Sequence, residues 1–247
     1  MARRSVRATE GAFVLEGETL VDEALAAGVV LEAVFVDPIA GAGLPVVARA
    51  AARGVRVHDL APGVLERVAG TVTPQPVLAI APIPDVALDV VAGASLVVVC
   101  VDVRDPGNAG SVLRSAEAAG AGAVVFCRGS VDVYNPKTVR SSAGSLFHVP
   151  VVSGGDPVEV LQRMGDWGLR RCAAVARGGR PYDDVDLTGP VAVVVGNEAN
   201  GLPAALEAHI DVAATIPMVG RTESLNVGVA AALICFEALR QRRRSAT

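Results

Sequence analysis

Lysine is all but missing from this sequence: Lys137 is the single lysine, and the other basic residues are arginine. That imbalance reflects coding bias as much as chemistry. Aromatic residues make up only 3% of the 247 positions, which argues against a sandwich or barrel core built on Phe, Tyr and Trp. Ala and Val supply the bulk instead. The four cysteines, at 100, 127, 172 and 235, form no CxxC and no thiolate cluster for zinc. Each sits among apolar neighbours and reads as a small core residue. The longest strongly apolar stretch, Val227–Phe236, falls far short of a bilayer span. With no recognisable secretory leader, the expected compartment is the cytoplasm, with no membrane partner and no metal.

Nucleotide fingerprints are missing too. No strand-like run leads into GxGxxG, GxxxxGK[ST] or GxSxG, so a dinucleotide fold of Rossmann type, a P-loop and a serine hydrolase are all disfavoured. The three histidines, His58, His148 and His209, pair with no nucleophile in sequence and read as structural.

What is present is a globular composition: 51% hydrophobic, 19% charged, net charge −4. The first 90 residues carry seven basic and eleven acidic side chains, and the remainder is balanced at fifteen of each. A general polyanion-binding surface is therefore not written into the composition. Arginines do gather at both ends, Arg3, Arg4 and Arg7 and then Arg240, Arg242, Arg243 and Arg244. They read equally well as solvated tails.

Apolar blocks of strand length alternate with helical periodicity. Residues 12–16, 31–36, 55–58 and 77–81 read as strands; 17–27, 44–53 and 62–69 read as helices. The Pro-rich break A-P-I-P-D ends this first α/β unit, giving a smaller domain over 1–85 and a linker over 86–94. From 95 to 247, near-continuous apolar runs at 95–103, 123–127, 171–175, 191–196 and 212–216 predict a doubly wound parallel sheet buried on both faces. A helix from about Leu225 to Arg243 closes the chain.

Ligands in such sheets bind beyond the carboxyl ends of the strands, and three segments there stand out. The first is D-V-R-D-P-G-N-A-G-S-V-L-R-S-A, residues 102–116. Pro106-Gly107 reads as a turn, Asn108 as the N-cap of a helix, and Arg114 as pointing away from its apolar stripe, an exposed arginine available to pair with Glu117. The second, V-V-V-G-N-E-A-N-G-L-P, leaves bare backbone and the Glu198 carboxylate at the sheet edge, with Gly196 and Gly201 permitting close approach of a ligand. The third, I-P-M-V-G-R-T-E-S-L-N-V-G-V-A-A-A, carries a long loop and then Ser224 and Asn226, which could cap the following helix or face the same cleft.

Together and in this order, the three segments resemble the signature motifs of the SpoU (TrmH) family of RNA ribose 2′-O-methyltransferases, in the SPOUT superfamily. V-Y-N-P-K-T-V-R-S-S-A-G-S-L-F-H-V-P-V (133–151) is similar to the family as well, and F-V-L-E-G-E-T-L-V-D-E-A-L resembles the start of an L30e-like RNA-binding domain that many members carry. The resemblance implies a C-terminal methyltransferase domain threaded into a trefoil knot, an exception to the rule against knots. It implies an S-adenosyl-L-methionine (S-adenosylmethionine) pocket at Val195, Gly196, Asn197, Gly201, Ile216, Pro217, Met218 and Leu225. It further implies a homodimer in which Arg114 lies near the partner's cofactor site.

Arg114 takes the catalytic role in that reading, supported by Asn108, Glu198, Ser224 and Asn226. A guanidinium stays protonated, so its expected task is to bind phosphate and steady the developing alkoxide rather than to remove the proton. The expected function is methylation of an RNA ribose 2′-hydroxyl, with rRNA favoured over tRNA. The alternatives are a tRNA enzyme of the same class, or a non-catalytic RNA-binding protein of the same fold.

Overall fold

A computed structural model describes residues 3–68 and 74–245. They divide into two units, one of residues 1–84 with 134–148, the other of 85–133 with 149–247.

The first unit runs α1 (Arg4–Glu10), β1 (Ala12–Glu16), α2 (Glu18–Ala26), β2 (Ala33–Val36), α3 (Pro45–Ala52), β3 (Arg56–Asp59), α4 (Val64–Val68) and β4 (Val77–Pro82). Its four strands form one sheet in the order β1-β4-β2-β3. The strands fall where the apolar runs put them. The helix expected over 62–69 is shorter, and its end at Ala69 lies outside the described residues. The N-terminal arginines are not a tail: Arg3 precedes α1, and Arg7 inside it is only 3% exposed. A short helix followed by left-handed Gly11 turns the chain directly into β1.

The second unit runs β5 (Leu96–Cys100), α5 (Pro106–Ala118), β6 (Ala123–Phe126), then, after α6 (Pro136–Ser141), β7 (Val151–Ser153), α7 (Pro157–Asp166), β8 (Arg170–Ala174), β9 (Arg180–Pro181), β10 (Val191–Val195), β11 (Val212–Thr215) and α8 (Val227–Ser245). The seven strands lie in the order β7-β6-β5-β10-β8-β11-β9, and every pairing among them is parallel. β5 and β10 are buried along their whole length. That is why their sequences are unbroken apolar runs rather than alternating ones. Each such valine contributes about 1.5–3 kcal/mol of transfer free energy before its entropy is charged.

Two features depart from the sequence reading. The stretch 86–94, expected as a linker, contains a 3₁₀ turn (Leu88–Val91) whose Val91 is fully buried in the second unit's core. The segment Tyr134–His148, which carries α6, groups with the first unit. There Tyr134 packs on Phe13, Arg140 pairs with Glu16 at 3.1 Å, and His148 pairs with Glu23 at 3.1 Å.

The arginines at the other end are helix, not tail. Arg242 is half-buried and donates to the carbonyls of Ser95, Leu187 and Gly189. Beside it, Gln241 bonds both Val185 and Leu187 of the preceding loop. The C-terminal end of α8 thus clamps the starts of β5 and β10. Among the described residues no helix is long and apolar enough to cross a membrane.

Candidate active site

The strand order reverses direction between β5 and β10, because the chain goes from β5 to β6 on one side and places β10 on the other. Ligands in open parallel sheets bind at such a switch, at the carboxyl ends. The cavity opens at the carboxyl edge on the β10 side of that switch, walled by the ends of β10, β8 and β11. Val195, Gly196 and Glu198 form one wall, Ala174–Ala176 a second, and Ile216, Met218, Ser224 and Leu225 a third. Asn197, Ala199, Gly201, Ala214 of β11 and, from α8, Val227 and Ala230 complete it.

The 197–201 loop is held by its own backbone. Asn197 and Gly201 exchange N–H···O bonds of 3.0 and 2.9 Å. A Cβ on Gly196 would lie 2.5 Å from the Gly201 carbonyl, so a glycine is required there. At Gly196 the chain itself makes such a close approach. Gly201, at φ +66°, supplies the left-handed turn. The Asn197 side chain does two jobs. Its amide donates to the Asp102 carbonyl at 2.9 Å, tying the end of β10 to the end of β5. Its Oδ1 accepts from the Ala199 and Asn200 N–H groups.

At α5 the capping differs from the sequence reading. Asp105, not Asn108, is the N-cap: its carboxylate accepts the Asn108 N–H at 2.9 Å, and Pro106 takes the first helical position. Asn108 therefore sits one turn in, with its side chain free for another task. Its Nδ2 donates to Glu198 Oε1 at 2.8 Å, and its Oδ1 accepts from Asn226 Nδ2 at 2.7 Å. Asn226 in turn caps α8, its Oδ1 accepting from Gly228 and Val229 N–H. A polar relay thus runs from the α8 N-terminus through Asn226 and Asn108 to Glu198. It is possible because α5 and α8 pack so closely that a Cβ on Gly228 would meet Ser111 Cβ at 2.7 Å.

Of the residues singled out in sequence, Val195, Gly196, Asn197, Glu198, Gly201, Ile216, Met218, Ser224 and Leu225 line the cavity. Asn108 and Asn226 join it through the relay, while Pro217 does not line it. Arg114 lies on α5, exposed, outside the cavity lining, and has no hydrogen-bond or ion-pair partner among the described residues. The expected pairing of Arg114 with Glu117 does not form. The sequence reading missed Ala174–Ala176, Ala199, Ala214, Val227 and Ala230. The β8 strand itself was legible, but its position beside β10 is set by tertiary pairing.

The electrostatics narrow the ligand class. Among the described residues, Glu198 is the sole charged side chain of the lining, and no arginine or lysine joins it. Such a cavity favours a cationic group over a phosphate. Among the described residues no group of three or more His, Cys, Asp or Glu is placed to hold a metal ion.

Comparison with known proteins agrees with this geometry. The family model described as SpoU rRNA Methylase family matches residues 95–236, and that of the MRM3-like substrate binding domain matches residues 1–79. The chain is 36% identical over 231 residues to the 23S rRNA (guanosine(2553)-2′-O)-methyltransferase RlmP of Bacillus subtilis, covering 93% of this chain and 89% of that protein. The SpoU methyltransferase AviRb from Streptomyces viridochromogenes, solved with AdoMet, superposes with a TM-score of 0.86 at 32% identity, over 98% of this chain and 94% of that one. An AdoMet-bound rRNA methyltransferase from Sinorhizobium meliloti gives a TM-score of 0.84 at 29% identity, over 97% and 91% of the two chains.

Proposed function

This chain belongs to the SpoU rRNA methylase family, and on that premise we propose that it methylates a ribose 2′-hydroxyl of RNA, with 23S rRNA as the substrate and S-adenosylmethionine as the donor. One observation carries the choice of donor. Among the described residues, the cavity at the strand ends holds a single carboxylate, Glu198, and no basic side chain, which suits a sulfonium and ammonium rather than a nucleotide phosphate.

S-adenosylmethionine, when bound, supplies an electrophilic methyl group. The chain's own residues do the rest. Backbone groups of Val195–Gly201 and apolar side chains of Ile216, Met218 and Leu225 would hold the donor. Asn108 and Asn226 fix the Glu198 carboxylate. Transfer would exchange the donor's S–CH3 bond for an O–CH3 bond and release the hydroxyl proton to solvent water; the hydroxyl is a poor nucleophile until that proton is drawn away and the charge left on the oxygen is stabilised. Arg114, exposed and without a partner among the described residues, is suited to bind an RNA phosphate and steady the alkoxide.

Arg114 lies outside its own cavity lining, so this reading uses a homodimer in which it approaches the partner's site. The α8 face bearing Val229 and Phe236, 47% and 46% exposed, is the surface we assign to that interface. The trefoil knot and a cytoplasmic location belong to the same reading. The test is transfer of a labelled methyl group from S-adenosylmethionine to rRNA by wild type and by Arg114→Ala. Loss of transfer with retained cofactor affinity supports the role; equal transfer removes Arg114 from the mechanism.

A further inference from the structure

The sheet of the first unit has two unlike faces. Phe13, Leu15, Val34 and Val36 point to one face and are buried. The other presents Val14 and Glu16 of β1, Leu78 and Ile80 of β4, Phe35 of β2, and Arg56 and His58 of β3, as the strand registers require. Here Phe35 and His58 are cross-strand partners whose rings lie 5.3 Å apart and 23° from parallel. His58 is on the edge strand and exposed.

Against this face, α4 and α6 enclose a cavity of about 470 Å³. Val14, Phe35, Ile80, Val64, Val68 and Val139 give it an apolar floor and sides. Val68, 60% exposed, stands at the rim of the cavity. Charge gathers around the same cavity. Glu16 is neutralised by Arg140 at 3.1 Å, while Arg67, and Arg56 on the edge strand, have no ion-pair partner among the described residues. The first 90 residues are net acidic, so basic side chains on this face are a local feature and not an overflow of general charge.

We propose that this open sheet face is a stacking surface for an unpaired base of the RNA substrate, with Phe35 and His58 as the aromatic platform and Arg56 and Arg67 meeting the flanking phosphates. The proposal rests on the RNA reading above and gives it a location on the first unit. Flat parallel rings beside cationic side chains are the chemistry that holds single-stranded RNA. A duplex, whose bases are already stacked, cannot use them.

The test uses the full chain and a twelve-nucleotide single-stranded RNA of mixed sequence with a central 2-aminopurine, compared with the same sequence as a duplex. Wild type is expected to prefer the single strand and to quench 2-aminopurine. Phe35→Leu, which keeps an apolar side chain but removes the ring, is expected to weaken binding by about 5- to 150-fold, the range of one lost base stack. It should also abolish the quenching. Arg67→Gln is expected to weaken binding and flatten its salt dependence. An unchanged circular dichroism spectrum and urea midpoint verify that the variants fold.

Failure of wild type to bind the single strand, or equal binding by Phe35→Leu and Arg67→Gln, overturns the proposal. So does self-association in sedimentation that Phe35→Leu removes while RNA binding persists, which would assign the face to a second copy. Methyl transfer without Phe35 dependence would sink this surface alone. Phe35-dependent RNA binding without any methyl transfer would sink the catalytic reading alone.

Discussion

Exchanging one amide for a carboxylate at position 108 should break the relay in a way that a second exchange repairs. Asn226 Oδ1 is committed to the Gly228 and Val229 N–H groups, so its Nδ2 must face Asn108 and Asn108 must present Oδ1 in return. Nδ2 of Asn108 is then the only group it can offer Glu198, at 2.8 Å. In Asn108→Asp that donor becomes a second carboxylate oxygen. At 2.8 Å two unit charges repel by about 1.5 kcal/mol even at the dielectric of water. A hydrogen bond to a charged group, worth about 1.5–3 kcal/mol, is lost as well. Glu198 is exposed and can swing away, so a net cost of roughly 2–4 kcal/mol is expected from these two terms.

Glu198→Gln alone keeps an acceptor and should cost less than about 1 kcal/mol. In the double variant Asn108→Asp, Glu198→Gln, the amide introduced at position 198 can donate to the carboxylate introduced at position 108. That carboxylate still accepts from Asn226 through its other oxygen. The double variant should therefore recover most of the loss. Urea denaturation of the four proteins of the cycle, with calorimetric titration of S-adenosylmethionine, measures the coupling. A harmless Asn108→Asp, or a double variant no better than Asn108→Asp, would refute the relay.

Other consequences follow from packing and charge. Gly196→Ala should cost about 1–3 kcal/mol and weaken cofactor binding, because its Cβ meets backbone 2.5 Å away; a variant that melts and binds as wild type contradicts the close packing. Arg242→Gln should lower stability by roughly 1.5–3 kcal/mol, since it loses bonds to the three carbonyls of Ser95, Leu187 and Gly189; an unchanged urea midpoint contradicts the clamp. Hydrogen bonds from Arg171 and Arg240 hold the carboxyls of Asp211 and Glu237 below their ordinary range. A depressed folded-state value stabilises above the unfolded carboxylate value of about 4 and is lost as pH falls through the folded one. Melting temperature should therefore hold down to about pH 5 and drop below about 4, with a shallower drop in Asp211→Asn and Glu237→Gln; equal acid profiles contradict this. Burial pushes the Cys127 and Cys235 thiols up to about 12 and Cys172 to about 11. A disulfide-exchange reagent should find no fast thiol in the native chain and four after denaturation; rapid native labelling contradicts the buried assignment.

How much was legible in sequence depends on whether the cause is local. The buried strands were, because Val-rich runs such as 191–195 admit few other readings. The cap of α5 was misread because Asp105 and Asn108 are both good N-caps; Pro106, suited to the first helical position, was the discriminating residue. The order of the strands is not local. For that reason Val195 and Ile216 were identified as lining residues while Ala174–Ala176 were not. The return of Tyr134–His148 to the first unit depends on contacts such as Phe13 with Tyr134, which no periodicity encodes. The motifs single out Asn108, Glu198 and Asn226, but the relay that joins them is set by the packing of α5 against α8, which no local pattern encodes.

The most direct test follows the methyl group to its atom. Deproteinised 23S rRNA is incubated with the full chain and S-adenosylmethionine labelled in its methyl group, then hydrolysed in alkali. A ribose without a free 2′-hydroxyl cannot be cleaved on its 3′ side, so the account predicts label in alkali-stable dinucleotides. Label released as mononucleotides, or no label in RNA at all, would contradict it.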